Sequence, residues 1–490
     1  MTGFGSVSSQ ITRRPKGFLG DVIALVSGTT LGQVITLVCL PLLSRIYQPD
    51  AFGVFAIFLG ITGIGTVVSS LRYELAIVLP EKKKEAANLF IGTLVITLIT
   101  SVFIGLILWP VWKYITLFLK VADLTPFFWM IPLTILVNGA FQAIGYWCSR
   151  ERLFGFLSIA KILNAAITAV SQVTVGLLGY TGAGGLIVSV VLGSLASFLI
   201  MFVRLFIFQK EFWNLISVSE ILKVLNRYRK FPLFDNWAAL LNSISWQLPN
   251  FFLSFFFSTA QVGYYSIGNR LLRLPMSLVG TSIGQVFFQR AASAQREGKL
   301  RPLVTSVFQE LVAIGLFPML LLSLVGKEVF EVGLGSNWAE GGVYTQILSI
   351  WMFFWFISSP LSTIFRVLEK QEFSLVLNIV IFVTRFLSLL VGGMYGSIYL
   401  ALGLFSISGI VLYGYLSLAI VHAAGVPYRY MFKTLFHQFL VFLPVGIIFL
   451  FIKLYSDWSP LLLVLLTGSV FLAFSIYNFL KLRKRLFGEI

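Results

Sequence analysis

From Val22 to Leu43 the chain is predominantly apolar for long enough, at roughly 1.5 Å per residue, to cross a bilayer. Thirteen further runs of this kind follow, so the sequence is read as an all-α integral membrane protein with about fourteen transmembrane helices. Composition agrees: 58% of residues are hydrophobic, only 11% are charged, and mean hydropathy is +0.92. A soluble globule of this length would expose far more charge. The first 20 residues lack the apolar core of a signal peptide, so the first run is expected to be retained. Cys39 and Cys148 both fall in apolar runs and read as small buried hydrophobes, not as a disulfide or metal framework.

The formal charge of +17 raises the question of nucleic acid, and the placement of the charge answers it. Twenty-four arginines and lysines gather on alternate connections, among them Lys82 to Lys84, Arg227, Arg229 and Lys230. The opposite connections carry only Arg45, Lys113, Lys120, Lys327 and Lys453. By the positive-inside rule both termini are expected in the cytoplasm, and the excess charge is a topology signal. No nucleic-acid partner is expected.

A repeat divides the chain. Phe52-Gly53-Val54-Phe55-Ala56-Ile57 lines up with Val262-Gly263-Tyr264-Tyr265-Ser266-Ile267, about 210 residues later. Each copy opens the second helix of a hairpin, expected over 52–79 and 262–289, and each leads through arginines to a charged connection. Two halves of six spans follow, residues 1–208 and 234–421, joined by a linker at 209–233. Residues 422–490 add two spans and a basic tail; these lie outside the repeat and are given no direct substrate role. In the linker, Ile221, Leu222 and Leu225 share one helical face and Lys223, Arg227 and Lys230 another, the pattern of an interfacial helix on anionic headgroups. Parallel repeats of this kind set the substrate between the halves.

Seven basic residues remain inside spans: Arg72, Lys161, Arg204, Arg270, Arg273, Arg290 and Arg385. Each costs about 2.5–3.5 kcal/mol in hydrocarbon even on a lenient scale, so such residues face a cavity or a partner. Arg204 and Arg290 lie close enough to a span end to snorkel. Arg72 and Lys161 sit about two turns in, and Arg72 is counted among the residues of a cationic cavity. Arg270 and Arg273 fall roughly 12 and 17 Å below the outer end of a span expected over 262–289, at i, i+3 spacing with Asn269 beside them. Arg385 is similarly central. Asn242 and Gln247 from span seven and Gln33 from span one complete a cationic, amide-lined cavity suited to a phosphate bearing sugars. Glu74, Asp235, Arg45 and Lys161 are assigned to coupling or gating.

No enzyme site emerges. His422 and His437 stand alone at span ends, and no metal-ligand cluster, carboxylate pair or phosphate loop is present in the sequence. No cofactor is expected.

The string from Arg45 to Gly53, the segment Arg72-Tyr73-Glu74-Leu75-Ala76-Ile77-Val78-Leu79-Pro80 and the helix count resemble the Wzx-type (O-antigen) flippases, the polysaccharide-transport branch of the MATE-like MOP exporter superfamily. The resemblance is most specific over roughly the first 90 residues. It implies two six-helix bundles in a V, a cavity built from spans one, two, seven and eight, and alternating access. The implied substrate is an undecaprenyl-diphosphate-linked oligosaccharide, moved from the inner to the outer leaflet of a bacterial or archaeal cytoplasmic membrane for surface polysaccharide or lipopolysaccharide synthesis. Membrane lipids, a polysaccharide polymerase and chain-length machinery are the implied partners. Three other readings stay open: a MATE-like drug or cation exporter, a lipid II flippase, and a membrane glycosyltransferase. A cation exporter wants a carboxylate deep in span one, whereas Asp21 lies at its edge.

Overall fold

The computed structural model describes residues 18–208, 214–368, 370–456 and 458–487, with no strand among them. Six helices make the first half: α1 (Phe18–Ile46), α2 (Pro49–Ser69), α3 (Lys83–Phe118), α4 (Met130–Arg150), α5 (Phe154–Leu177) and α6 (Ala183–Phe208). Pro49 opens α2, where its missing N–H leaves nothing unsatisfied. Glycines set the close approaches: Gly28 and Gly32 of α1 lie against Ser158 and Ala165 of α5.

The helix expected over 52–79 does not run through. α2 stops at Ser69, Leu71 (φ 49°) and Arg72 (φ 65°) turn left-handed, and a 3-10 turn covers Tyr73–Val78. Two such residues in succession cost on the order of 1–3 kcal/mol each and persist only where packing fixes them. Here Tyr73, Ala76 and Ile77 are buried in a cluster with Phe90 and Trp147. Arg72 therefore occupies a break in the rod instead of a helical turn inside the bilayer.

The linker helix α7 (Val218–Arg227) is docked on protein as well as amphipathic. Ile221 and Leu225 pack on Gly92 of α3, Arg227 pairs with Glu85 at 2.8 Å, and the Tyr73 hydroxyl donates to the Leu225 carbonyl at 3.0 Å. Val218 and Leu222 stay exposed on its free side. The apolar edge expected to lie on headgroups is thus divided between the first half and open surroundings.

The second half comprises α8 (Asn236–Phe256), α9 (Thr259–Leu272), α10 (Thr281–Arg296), α11 (Leu300–Leu334), α12 (Ala339–Leu361), the short α13 (Ile364–Val367), α14 (Gln371–Met394) and α15 (Ile398–Ala423). The rod expected over 262–289 is broken into α9 and α10 by a π segment, Met276–Gly280. Pro275 at the junction has no N–H and its ring clashes with the preceding turn. A second π segment, Phe231–Asp235, leads into α8. The last two helices are α16 (Tyr428–Tyr455) and α17 (Pro460–Phe487).

Counting α9 and α10 as one, the expected fourteen rods are present. Twelve stretches among the described residues are long and apolar enough to cross a membrane. The two rods outside that set are α8 and α9–α10, because α8 carries Asn236, Asn242, Ser245, Gln247 and Asn250 and the other is interrupted. The hairpin with the weakest membrane signal holds the candidate site.

The first six helices pack on one another, α8 to α15 do likewise, and α16 and α17 lie on α11. The halves meet chiefly where α2 crosses α9 and α8. We call the end with the turns at Gln48 and Ser258 the hairpin face, and the opposite end the basic face.

Candidate functional site

The hairpin face is closed. A Cβ on Gly53 would lie 1.8 Å from the Thr259 carbonyl oxygen, and one on Gly263 would lie 2.0 Å from that of Pro49. The two copies of the repeat thus cross reciprocally, each helix using its glycine to admit the other's first turn. Side chains add to the seal: Thr259 Oγ1 donates to Asp50 Oδ1 at 2.7 Å, Lys120 Nζ to the Phe257 carbonyl at 3.2 Å, and Trp338 Nε1 to the Ser44 carbonyl at 2.9 Å.

Deeper in, the repeat becomes asymmetric. With Gly53 and Gly263 as equivalents, Gly60 and Gly63 of α2 correspond to Arg270 and Arg273 of α9. The first half leaves room there, which Gln247 of α8 occupies, its amide oxygen 3.3 Å from where a Gly60 Cβ would stand. The second half supplies charge. Arg270 and Arg273 both have exposed side chains although α9 is packed against α2, α8 and α12, so they open onto an internal space. Neither forms an ion pair with a described carboxylate.

What steadies Arg273 and Arg385 is aromatic. Arg273 lies over the Trp246 ring at 4.7 Å and over Trp355 at 5.6 Å. Arg385 lies over Trp246 at 4.6 Å, with Trp351, Phe405 and Tyr413 also around it. One indole is therefore placed beside two guanidinium groups, each contact worth up to about 2 kcal/mol when desolvated. Arg385 also donates to Ser245 Oγ at 3.2 Å and to the Tyr413 hydroxyl at 3.0 Å. It is 3% exposed. The expectation that Arg385 lines the open cavity is corrected: it is caged behind the wall that Trp246 forms. Sequence reasoning passed over Trp246, Trp351, Trp355 and Tyr413, although a tryptophan between Ser245 and Gln247 in a polar span was a signal.

The remaining predicted residues divide. Asn242 is exposed on α8, on the open side. Gln247 accepts from Asn250 Nδ2 at 2.8 Å, while Asn269 Oδ1 and Asn250 Oδ1 are buried without a hydrogen bond. Gln33 is half-buried on α1, a helix whose main neighbour is α5. Lys161 donates to Thr29 Oγ1 at 3.3 Å, tying α5 to α1. Arg45 is exposed at the end of α1. These three are not gathered with the arginines.

Toward the basic face the break after α2 builds a second polar group, and Arg72, expected in the cationic cavity, is paired in this group and not gathered with Arg270 and Arg273. Arg72 Nε donates to Asp235 Oδ2 at 2.9 Å across the halves, and its Nη1 to Glu74 Oε1 at 3.2 Å. Ser70 Oγ donates to the other Glu74 oxygen. Glu74 is 1% exposed, and burial pushes its carboxyl above the ordinary range, against the opposing pull of Ser70 and Arg72.

On the far side of α9, Leu271, Leu274 and Pro275 border a cavity of about 1080 Å³ that is otherwise lined mainly by α11, α16 and α17. The last two helices, given no substrate role above, thus form much of a mainly apolar chamber beside the arginine helix, with Glu310, Lys433 and His437 also in its lining. No group of three or more metal-ligating side chains occurs among the described residues.

This arrangement is the fold of the MOP-superfamily transporters. Lipid II flippase MurJ, in an inward closed conformation, matches with a TM-score of 0.69 at 12% identity, covering 95% of this chain and 99% of its own. A MOP-superfamily transporter from Pyrococcus furiosus, described as having a binding pocket of reverse polarity that suggests a different function, matches at 0.57 and 16% identity, over 83% and 95%. A multidrug-resistance MATE transporter in an outward-facing conformation matches at 0.55 and 16%, over 84% and 95%. Residues 42–341 match the model of the family described as polysaccharide biosynthesis protein, and the chain belongs to that family. No curated protein matches the sequence.

Proposed function

We propose that this protein is a flippase for an undecaprenyl-diphosphate-linked oligosaccharide, working by alternating access between the two halves. Arg270 and Arg273, open to an internal space without a carboxylate partner, carry the reading. A guanidinium offers paired donors matched to phosphate oxygens, and Trp246 holds that of Arg273 in place. The amides of Asn242 and Gln247 suit sugar hydroxyls. The apolar chamber along α16 and α17 suits a polyprenyl chain, so one helix would part the two ends of an amphiphile. The basic face is read as cytoplasmic by its charge, in a bacterial or archaeal inner membrane. With the hairpin face sealed, substrate would enter from the basic side.

A cation exporter is disfavoured by the sign of the cavity. The buried carboxylates Glu74 and Glu328 are each engaged, by Arg72 and by Lys453. Membership of the polysaccharide family supports an oligosaccharide cargo over a drug.

The test is reconstitution into liposomes with a fluorescent short-chain polyprenyl-diphosphate saccharide. The wild-type protein should expose the label to an external quencher, and Arg270→Ala with Arg273→Ala should abolish this without loss of folded protein. Flipping at the wild-type rate by the double variant, or transport of organic cations in its place, would remove the proposal.

A further inference from the structure

A small polar cavity lies where α12, α13 and α14 meet on the basic face. Its volume is about 250 Å³, and its walls include Ser362, Thr363, Arg366, Ser374 and Asn378. That is below the roughly 300–1,000 Å³ of pockets that enclose drug-sized ligands. It admits a chemical group, not a whole molecule.

Donors in it are available to a ligand. Arg366 is exposed, and no ion pair to it occurs among the described residues. Asn378 Nδ2 gives one hydrogen to the Ser374 carbonyl at 2.8 Å, which leaves its second for a ligand. The Ser362 and Thr363 hydroxyls already donate to the Ser359 and Pro360 carbonyls, so they shape the wall and do not compete for the guanidinium. Glu372 faces away: it stands about 200° round α14 from Ser374 and borders a different cavity with Lys370 and His422. A concave site with a guanidinium, an amide hydrogen and a hydroxyl takes an oxyanion.

Position adds the second argument. Ser374, Asn378 and Arg385 fall within about 40° on α14, and Asn378 precedes Arg385 by about 10 Å of helical rise. At Arg385 this side of α14 is bonded to Ser245 of α8. The cavity therefore lies on the side of α14 that packs on α8, nearer the basic face.

We infer that Arg366, Ser374 and Asn378 form a receiving site for a phosphate or diphosphate group, occupied before that group reaches Arg270 and Arg273. That the phosphate belongs to a lipid-linked saccharide rests on the flippase reading; that the site binds phosphate does not.

The test uses the purified full chain with Arg270→Ala and Arg273→Ala, so that the central site is gone, titrated calorimetrically with inorganic pyrophosphate and with farnesyl diphosphate. Binding of both should persist, and adding Arg366→Ala should weaken it about tenfold, the loss of one charge-assisted contact. Arg366→Lys should restore part of it, and Asn378→Asp should abolish it. Binding unchanged by Arg366→Ala, or already absent in the parent double variant, would overturn the site while leaving the proposed function standing. Binding of pyrophosphate alone, with farnesyl diphosphate rejected, would keep the site and assign it to a soluble anion, against the flippase reading.

Discussion

Arg72 Nε sits 2.9 Å from Asp235 Oδ2, which makes one side chain of the first half hold the entrance to the second. Arg72 reaches it because Leu71 and Arg72 leave the helix in the left-handed region, and Asp235 meets it from the end of a π segment. The hairpin face is sealed by backbone against backbone; here the join is one partly exposed ion pair.

An ion pair with side-chain exposures of 24% and 48% contributes at most about 1 kcal/mol. Asp235→Asn should therefore leave the melting temperature nearly unchanged. It should raise several-fold the rate at which a cysteine at the exposed Asn242 position reacts with a soluble maleimide. Unaltered labelling would mean that the pair does not control access.

Glu74 gives this group a pH dependence. Its folded carboxyl titrates above the unfolded one because burial disfavours the charge, so its stabilising contribution is complete below the ordinary glutamate value of 4.5. That contribution is lost as pH rises through the higher folded value. Glu74→Gln should flatten the rise in unfolding tendency over this interval, measured by thermal melts from pH 4 to 8 (about four units, spanning the reference value). A profile identical to wild type would show that Ser70 and Arg72 cancel the effect of burial.

The glycine crossing allows no side chain. A Cβ at Gly53 would meet the Thr259 carbonyl, which is backbone and cannot swing aside. Gly53→Ala should part α2 from α9 at the hairpin face. Cysteines placed at Asp50 and Thr259, whose side chains now hydrogen-bond at 2.7 Å, should crosslink readily in the wild-type background and poorly in the variant. Oxidation of that pair should also stop export reversibly, because in the proposed mechanism the halves separate there for release.

Arg273 and Arg385 share Trp246 but should respond differently to mutation. Arg385→Met removes a caged cation with its cation–π and hydrogen-bond partners and should cost on the order of 3 kcal/mol of stability. Arg273→Met, on the open side, should leave the melt close to wild type and reduce flipping. Equal melts for the two variants would refute the division between cage and cavity.

Topology can be read by cysteine labelling from outside intact cells. A cysteine at Gln48 or Asn337 should react, and one at Lys83 or Gly298 should not. Reaction at Lys83 would invert the orientation taken from the loop charges.

Much of this molecule was legible in the sequence because hydrocarbon permits few solutions. Apolar runs of span length must become helices, and the fourteen rods follow from that constraint. The correspondence of Gly53 with Gly263 could also be read along the chain, and so could the central arginines, since uncompensated charge in an apolar run is visible locally. The breaks were not. Helices were expected through 52–79 and 262–289, yet packing of Tyr73, Ala76 and Ile77 fixes a left-handed turn in the first, and the junction at Pro275 opens a π segment in the second. Pro275 could have warned of one; no residue type in Leu71-Arg72 announces the other.

The sequence by itself determined which residues could bear charge in the membrane, because that depends on composition along a single helix. Only the tertiary structure decided which of them face an open space. Arg273 and Arg385 have the same side chain and share one indole, but α9 turns the first toward the cavity while α8, α12 and α15 enclose the second. Exposure is set by the neighbours that other helices supply, here 28 and 140 positions away, and a pattern read along one chain carries no term for them.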